Sequence, residues 1–439
     1  ARQRSQIISS GDNSVNPPAS RVYLDNAATS WPKPPAVWEA VEDYQRRLGS
    51  PLGRGAYSEA AEVARAVEAC RSELAGLLEA ESPDRVVFTF NGTDALNLAI
   101  HGLVSPGDHV VTSVVEHNSV LRPLRELESR QGLLVSRVGC DPSGRIDLEE
   151  LRESLRPNTK LVVLTHASNV TGAVQPIAEA ASIARAHGAR FLLDAAQTLG
   201  HVPVSVKELD VDLFAAPGHK GLLGPLGTGL LYLRPGLESG LRSLRQGGTG
   251  SLSEEDDQPE SLPHKYESGN QNVPGLLGLG AGAAYVRSQG PPALEEHTRA
   301  LTERIYWGLA AIPGLTVHGP PPGDQRIGVI SVTLRGRDSV EIGDLLERDF
   351  RIQVRAGYHC AARIHSRIGT RETHGTVRFS IGPFNTEEQI DEAVDAVRRI
   401  ARGDSAAALM DVPCPCVAGR GDDVEPSLIG LADSLDGLD

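Results

Sequence analysis

The sequence has 439 residues, with 43 Lys and Arg against 57 Asp and Glu and a formal net charge of −14, which argues against nucleic acid or an anionic membrane as the main partner. Hydrophobic residues make up 40%, enough to build sizeable cores in two or three domains. Cys70, Cys140, Cys360, Cys414 and Cys416 are too few and too scattered for a disulfide framework; with no signal-like apolar core at the start and no apolar run of membrane-spanning length, they predict a reducing, cytosolic setting.

Residues 1–20 carry Gly, Pro, Ser and Asn without a period and read as a flexible N-terminal arm. Short β-branched runs follow at 86–90, 109–115, 133–138, 160–165, 190–193, 213–215 and 229–233, with helical patterns between most of them, including 93–101, 119–129 and 177–187. That alternation predicts right-handed βαβ crossovers and a mainly parallel sheet with helices on both faces. Residues 247–275, rich in Gly, Ser, Glu, Asp and Pro, predict a long functional loop or a link between domains. Beyond it, a helix at 293–312, a strand at 328–334, a helix at 339–350, strands at 353–355 and 376–380 and a helix at 386–402 predict a smaller α+β domain. The expected division is thus an arm at 1–20, a large domain at 21–275 whose first segment can pack on the smaller one, a small domain at 276–402, and a disordered tail at 403–439. The tail holds eight acidic residues against Arg420 alone.

Several residues stand out chemically. Gly92-Thr93 follows a strand and opens a helix, so its N–H groups and the helix dipole make either a phosphate seat or simply a capped turn. Asp194 ends the apolar run Phe191-Leu192-Leu193, at the carboxyl edge where open α/β sheets bind ligands, and a carboxylate there can hold a cationic ring nitrogen. Lys220 lies in Pro217-Gly218-His219-Lys220-Gly221 between two strands; a lysine held in a pocket can lose its proton and form a Schiff base. For Cys360, Arg355, His359 and His374 are nearby groups that could raise the thiolate fraction. A metal site from His359, Cys360, His365 and His374 matches no familiar ligand spacing. Gly278-Leu279-Gly280-Ala281-Gly282-Ala283 spells a dinucleotide fingerprint, but no strand precedes it, and helix packing accounts for its glycines. Cys414-Pro415-Cys416 could accept a persulfide or a soft metal, or have no chemistry.

The segments Tyr23-Leu24-Asp25-Asn26-Ala27-Ala28-Thr29, Glu116-His117-Asn118-Ser119, Ser168-Asn169-Val170-Thr171-Gly172, Asp194-Ala195-Ala196-Gln197, Gly218-His219-Lys220-Gly221, Arg355-Ala356-Gly357-Tyr358-His359-Cys360 and Val377-Arg378-Phe379-Ser380 occur in one order from about residue 22 to 400. Together they resemble the cysteine desulfurase and selenocysteine lyase branch of the class V aminotransferase-like enzymes. That resemblance implies an aspartate aminotransferase-like α/β fold, the fold type I of pyridoxal-phosphate enzymes, and a homodimer. It implies pyridoxal 5'-phosphate on Lys220, with Asp194 at the pyridine nitrogen, His117 on the ring, Gln197 at the phenolic oxygen and Asn169 beside the ring. Gly92, Thr93 and His219 would hold the phosphate, Arg378 the substrate carboxylate, and Arg355 would line the same pocket. Cys360 would take sulfur from L-cysteine as a persulfide, leave L-alanine, and pass the sulfur to an acceptor protein or small thiol. Pro217 stands where the family often has a phosphate-binding Ser, Asn270 where a Thr often reaches the partner subunit's phosphate, and Tyr358-His359 where the best-known members have paired histidines. Selenocysteine lysis, transamination and another β-elimination remain alternatives on the same scaffold, and a non-catalytic sulfur or metal carrier remains one in another class.

Overall fold

The computed structural model describes residues 21–403 apart from 54, 252, 253 and 324; the arm at 1–20 and the tail beyond Gly403, with Cys414 and Cys416, lie outside the described residues. After β1 (Val22–Tyr23) come α1 (Pro35–Asp43) and α2 (Ser58–Leu78), then β2 (Val86–Thr89), α3 (Gly92–Leu103), β3 (His109–Ser113), α4 (Asn118–Gln131) and β4 (Leu134–Val138). The chain continues through α5 (Leu148–Ser154), β5 (Thr159–Thr165), α6 (Ile177–Ala186), β6 (Arg190–Asp194), β7 (Leu213–Pro217) and β8 (Gly229–Leu233). Strands β2 to β8 form a seven-stranded sheet in the order β2-β8-β7-β6-β5-β3-β4. The pairings from β7 through to β4 are parallel; β8 runs against both its neighbours.

A parallel sheet is covered by helices on both faces, so its strands must be apolar on both sides. Leu161, Val162, Val163 and Leu164 of β5 and Leu192 and Leu193 of β6 are completely buried, each contributing roughly 1.5–3 kcal/mol by area removed from water. This is why the sequence shows continuous apolar runs here instead of an alternation. α7 (Val273–Gln289) begins inside the stretch expected to be loop and packs on α1 and α2. It carries the Gly278–Gly282 string: a Cβ on Gly282 would come within 2.4 Å of the Leu222 carbonyl oxygen, so close packing, and not a phosphate turn, explains that glycine.

The C-terminal part runs through α8 (Pro291–Ala310), β9 (Leu315–His318), β10 (Val329–Leu334), α9 (Ser339–Phe350), β11 (Ile352–Gln353), β12 (Arg355–Gly357), α10 (Ile364–Arg367), β13 (Thr376–Ser380) and α11 (Glu387–Arg402). Its four-stranded antiparallel sheet has the order β12-β13-β10-β9. Helices α8, α9 and α11 bury Ile305, Leu346, Ile390 and Val397 in one cluster with Ile330, Val332, Val377 and Phe379 of the sheet. The single strand expected at 353–355 divides in two: β11 pairs in parallel with β1, while β12 pairs with β13. The N-terminal segment is thereby stitched to the C-terminal part, with Ser380 N–H donating to the Leu24 carbonyl at 2.7 Å and Asn26 Nδ2 to the Ser380 carbonyl at 3.0 Å.

Candidate active site

Gly92, His117, Asn169, Asp194 and Lys220 all lie at or just past the carboxyl ends of β2, β3, β5, β6 and β7. That edge is where crevices open in α/β sheets. Asp194 is 3% exposed and accepts from the Ala196 N–H at 3.0 Å. Burial raises its carboxyl above the ordinary carboxylate range, opposed by the Ala196 bond and the nearby Lys220 charge. Burial pushes the Lys220 ammonium down to about 8, with Asp194 acting in the opposite direction. The peptide before Lys220 is fixed from the N-terminal segment: Thr29 Oγ1 and Lys33 Nζ reach the His219 carbonyl at 3.1 and 2.6 Å, and Ser30 Oγ donates to the Lys220 carbonyl at 2.9 Å.

The N-terminus of α3 points at the same space. Asn91 caps it by accepting from Asp94 N–H, which leaves the backbone at Gly92 and Thr93 facing the crevice. A Cβ on Gly92 would meet the Pro217 ring at 3.1 Å. Thr93 Oγ1 lies 2.7 Å from Ser119 Oγ, which is 2.8 Å from His117 Nδ1. Thr93 and Ser119 thus bring two hydroxyls to the crevice that Pro217 also lines without one. His117 caps α4, accepting from Ser119 N–H at 3.1 Å, and burial followed by the Lys220 charge lowers it to about 4. Its ring is neutral at pH 7. Behind it Glu116 is completely buried, accepts from Ser113 Oγ at 2.6 Å and is pushed up to about 8 by burial, so it too is mainly neutral.

The opposite wall comes from the small antiparallel sheet. Arg355 and Arg378 are register partners on β12 and β13. Arg378 is 1% exposed; its Nη2 donates to Asp25 Oδ1 at 2.6 Å and its Nη1 to the Asn169 carbonyl at 3.1 Å, while Nε is buried without a partner. Arg355 Nη2 donates to Cys360 Sγ at 3.2 Å. His359 and His374 do not meet the thiol: His359 turns inward to Thr376, and His374, exposed, pairs with Asp338. Of the three groups expected to raise the thiolate fraction, Arg355 alone makes that contact, because the chain reverses at residues 359 and 360 and sends the imidazole to the other side.

The walls border an open crevice with a cavity volume of about 220 Å³. It is lined by Gly92, Thr93, His117, Asn169, Asp194, Gln197, His219, Lys220, Arg355 and Arg378. Cys360 sits at the rim through Arg355, and Asn270, exposed in the loop before α7, lies apart from it. Sequence reasoning passed over Ser119, Asp25 and Lys33; the first two lie inside the quoted motifs, and Lys33 had no local signal. These residues fit pyridoxal phosphate. A buried carboxylate with no side-chain cation bonded to it matches a ring nitrogen, a helix N-terminus with two hydroxyls and a partnerless His219 Nδ1 matches a phosphate, and an amine that gives up its proton more readily than an ordinary lysine matches an aldehyde.

The aminotransferase class-V family matches residues 22–393 of the chain. A probable cysteine desulfurase from Methanothermobacter thermautotrophicus is 37% identical over 384 residues, covering 87% of this chain and 94% of that protein. A cysteine desulfurase from Escherichia coli is 33% identical over 388 residues, covering 87% and 93%. Among solved structures, the apo cysteine desulfurase from Thermococcus onnurineus NA1 superposes with a TM-score of 0.81 at 31% identity, covering 87% of this chain and 95% of that one. A cysteine desulfurase from Escherichia coli, solved as its S-sulfonic acid, gives 0.77 at 30% identity, covering 89% and 95%.

Proposed function

The chain belongs to the aminotransferase class-V family and is a pyridoxal-phosphate-dependent cysteine desulfurase, and we propose that Lys220, Asp194, Arg378 and Cys360 carry its reaction. The observation behind this assignment is the convergence of a deprotonatable lysine, a guanidinium with one unpaired N–H and an arginine-held thiol on one crevice. Bound pyridoxal phosphate supplies an electron sink that stabilises negative charge at the substrate α-carbon.

The remaining work falls to the chain. Asp194 would hold the positive end of the ring, His117 would face it as a neutral imidazole, and Gln197, whose Nε2 donates to the Ala27 carbonyl at 3.1 Å, would meet the phenolic oxygen. Gly92, Thr93, Ser119 and His219 would receive the phosphate. Arg378, whose Nε–H has no partner in the protein, takes the substrate carboxylate, with Asp25 and the Asn169 carbonyl fixing its plane. Lys220, neutral once its proton is lost, removes the α-proton. The Cys360 thiolate then attacks the substrate sulfur: the S–S bond forms, the carbon–sulfur bond breaks, and its electron pair stays with the carbon fragment, which is protonated and leaves as L-alanine. The outer sulfur of the Cys360 persulfide passes to an acceptor protein or small thiol.

We assign residues 21–275, together with the rest of α7, which packs on α1 and α2, to a large domain, and the remainder up to residue 402 to a small one. The working form is a homodimer in the cytoplasm, in which Asn270 reaches the partner subunit's phosphate. Among the described residues no helix is long and apolar enough to cross a membrane. The test is the absorption spectrum of the purified protein followed by product analysis: a yellow protein that releases alanine from L-cysteine and carries persulfide on Cys360 is expected. Alanine release with the persulfide on another cysteine would overturn the assignment of Cys360.

A further inference from the structure

Cys360 does not sit on a regular element. The chain leaves β12 at Gly357 with φ 104°, and His359 and Cys360 follow at φ 50° and 59°. Both carry a Cβ, which crowds the left-handed region. Two successive residues stay there only where their surroundings fix them.

The fixing contacts come from three directions. Asn169 Nδ2 donates to the His359 carbonyl at 2.6 Å, and Asn118 N–H donates to the Cys360 carbonyl at 2.8 Å. Both therefore hold the loop by its backbone from the large sheet's side. From the other side, the His359 imidazole, 2% exposed, places Nε2 at 2.8 Å from Thr376 Oγ1 and 3.1 Å from the Thr376 carbonyl. A carbonyl only accepts, so Nε2 carries the proton and Nδ1 has none; Nδ1 is buried without a partner. Thr376 is the register partner of Gly357, so the imidazole reaches back to the strand end from which the loop departs and closes the turn behind Cys360. The charged groups that face it, Arg378 and Arg355, together with His365, add to burial in keeping it neutral.

On the reading of Cys360 as the sulfur-accepting nucleophile, we propose that His359 is a positioning residue. Its bond to Thr376 locks the left-handed pair and holds Sγ beside Arg355 facing the crevice, and it takes no part in proton transfer at the thiol. Loss of that lock then confines the defect to one step. Lys220, Asp194 and Arg378 are supported by other contacts and keep their places when the lock is removed.

The experiment compares wild type, His359→Leu, His359→Gln and Thr376→Val with Cys360→Ala at matched cofactor occupancy. It measures the single-turnover rate of persulfide formation on Cys360, the spectral change on adding cysteine, and alanine release from cysteine and from selenocysteine. A nucleophile misplaced by about 1 Å costs on the order of 10²-fold, so His359→Leu is expected to lose about that much persulfide formation and cysteine turnover. Cysteine binding and selenocysteine turnover should stay near the wild-type level. His359→Gln, whose amide can still donate to Thr376, should recover most of the loss, and Thr376→Val should show the same pattern more weakly.

A wild-type persulfide rate in both His359→Leu and Thr376→Val overturns the proposal. Equal loss on both substrates, or loss of cofactor, overturns it as well by showing a purely structural role. Undiminished cysteine turnover in Cys360→Ala sinks the underlying reading of the nucleophile, which separates that failure from this one.

Discussion

Asp194, Lys220 and Gly92 stand at the ends of strands buried on both faces, whereas Cys360 stands in a turn with two residues in the left-handed region, held by hydrogen bonds from Asn169 and Asn118 to its backbone and by the His359 imidazole bonded to Thr376. The first wall inherits its rigidity from a sheet core; the second is assembled from tertiary contacts. The difference matches the proposed roles: groups that would hold a ring and a phosphate must not move between steps, while a thiol proposed to attack, carry sulfur and hand it on needs to reach both the substrate and the rim.

The sharpest break in that comparison is Lys220→Ala. Removing the amine takes away both the covalent attachment and the base, and a loss of about 10³-fold or more in alanine release is expected. The aldehyde link, trapped by borohydride in the wild type, should disappear with it. Wild-type turnover in this variant would remove Lys220 from its assigned role.

Cys360→Ala comes next and should split by substrate. A carbon–sulfur bond yields a poor leaving group without a nucleophile to take the sulfur, so cysteine turnover should fall nearly to nothing, while selenocysteine, with a better leaving atom, should retain appreciable alanine release. Cofactor absorbance should be unchanged, because Cys360 lies on the rim and not among the ring-holding residues. Equal losses on both substrates would mean that Cys360 shapes the pocket instead of accepting sulfur.

Arg378→Lys keeps a cation for Asp25 but loses the planar fork. Charge-assisted bonds are worth roughly 1.5–3 kcal/mol, so KM for cysteine should rise about tenfold to a hundredfold with a smaller change in kcat. An unchanged KM would place the carboxylate elsewhere.

Lys220 also gives a pH signature. Its ammonium is pushed down to about 8, and only the neutral amine combines with an aldehyde. Uptake of pyridoxal phosphate by the apoprotein should therefore rise with pH below about 8 and level off above it. Asp194 opposes that shift, so Asp194→Asn should move the midpoint lower. A midpoint near the ordinary lysine value would contradict the buried, dry setting of the amine.

The same division explains what could be read beforehand. Runs such as 160–165 and 190–193 were legible because two-sided burial leaves an unbroken apolar stretch, and Asp194 and Lys220 were legible because each is anchored to the end of one. β12, half-buried and three residues long, leaves no apolar signal, which is why one strand was expected at 353–355 where two short ones form. α1 and α2 precede the first strand of the sheet and fall outside the β–α alternation. The direction of the His359 side chain depends on φ values at 359 and 360 and on Thr376 across the sheet, neither of which is a local property of the sequence. Asp25 reaches Arg378 only through the pairing of β1 with β11 and the stitching of the N-terminal segment to β13.

The smallest effect belongs to a control in the second wall's own support. Thr386 caps α11 with a reciprocal pair: its Oγ1 accepts from Gln389 N–H while the Gln389 side chain accepts from the Thr386 N–H. α11 packs against α8 and α9 behind the small sheet, and its Ile390 and Val397 join the core under Val377 and Phe379. Thr386→Ala removes one of those cap bonds and should lower stability by about 1 kcal/mol, read as a modest drop in Tm or in the denaturant midpoint. It touches neither Arg378 nor Cys360, so kcat, KM and the ratio of selenocysteine to cysteine turnover should stay at their wild-type values. If that ratio moved with stability alone, the substrate split expected of Cys360→Ala would report a loosened small sheet instead of a missing nucleophile, and the contrast between the two walls would lose its chemical meaning.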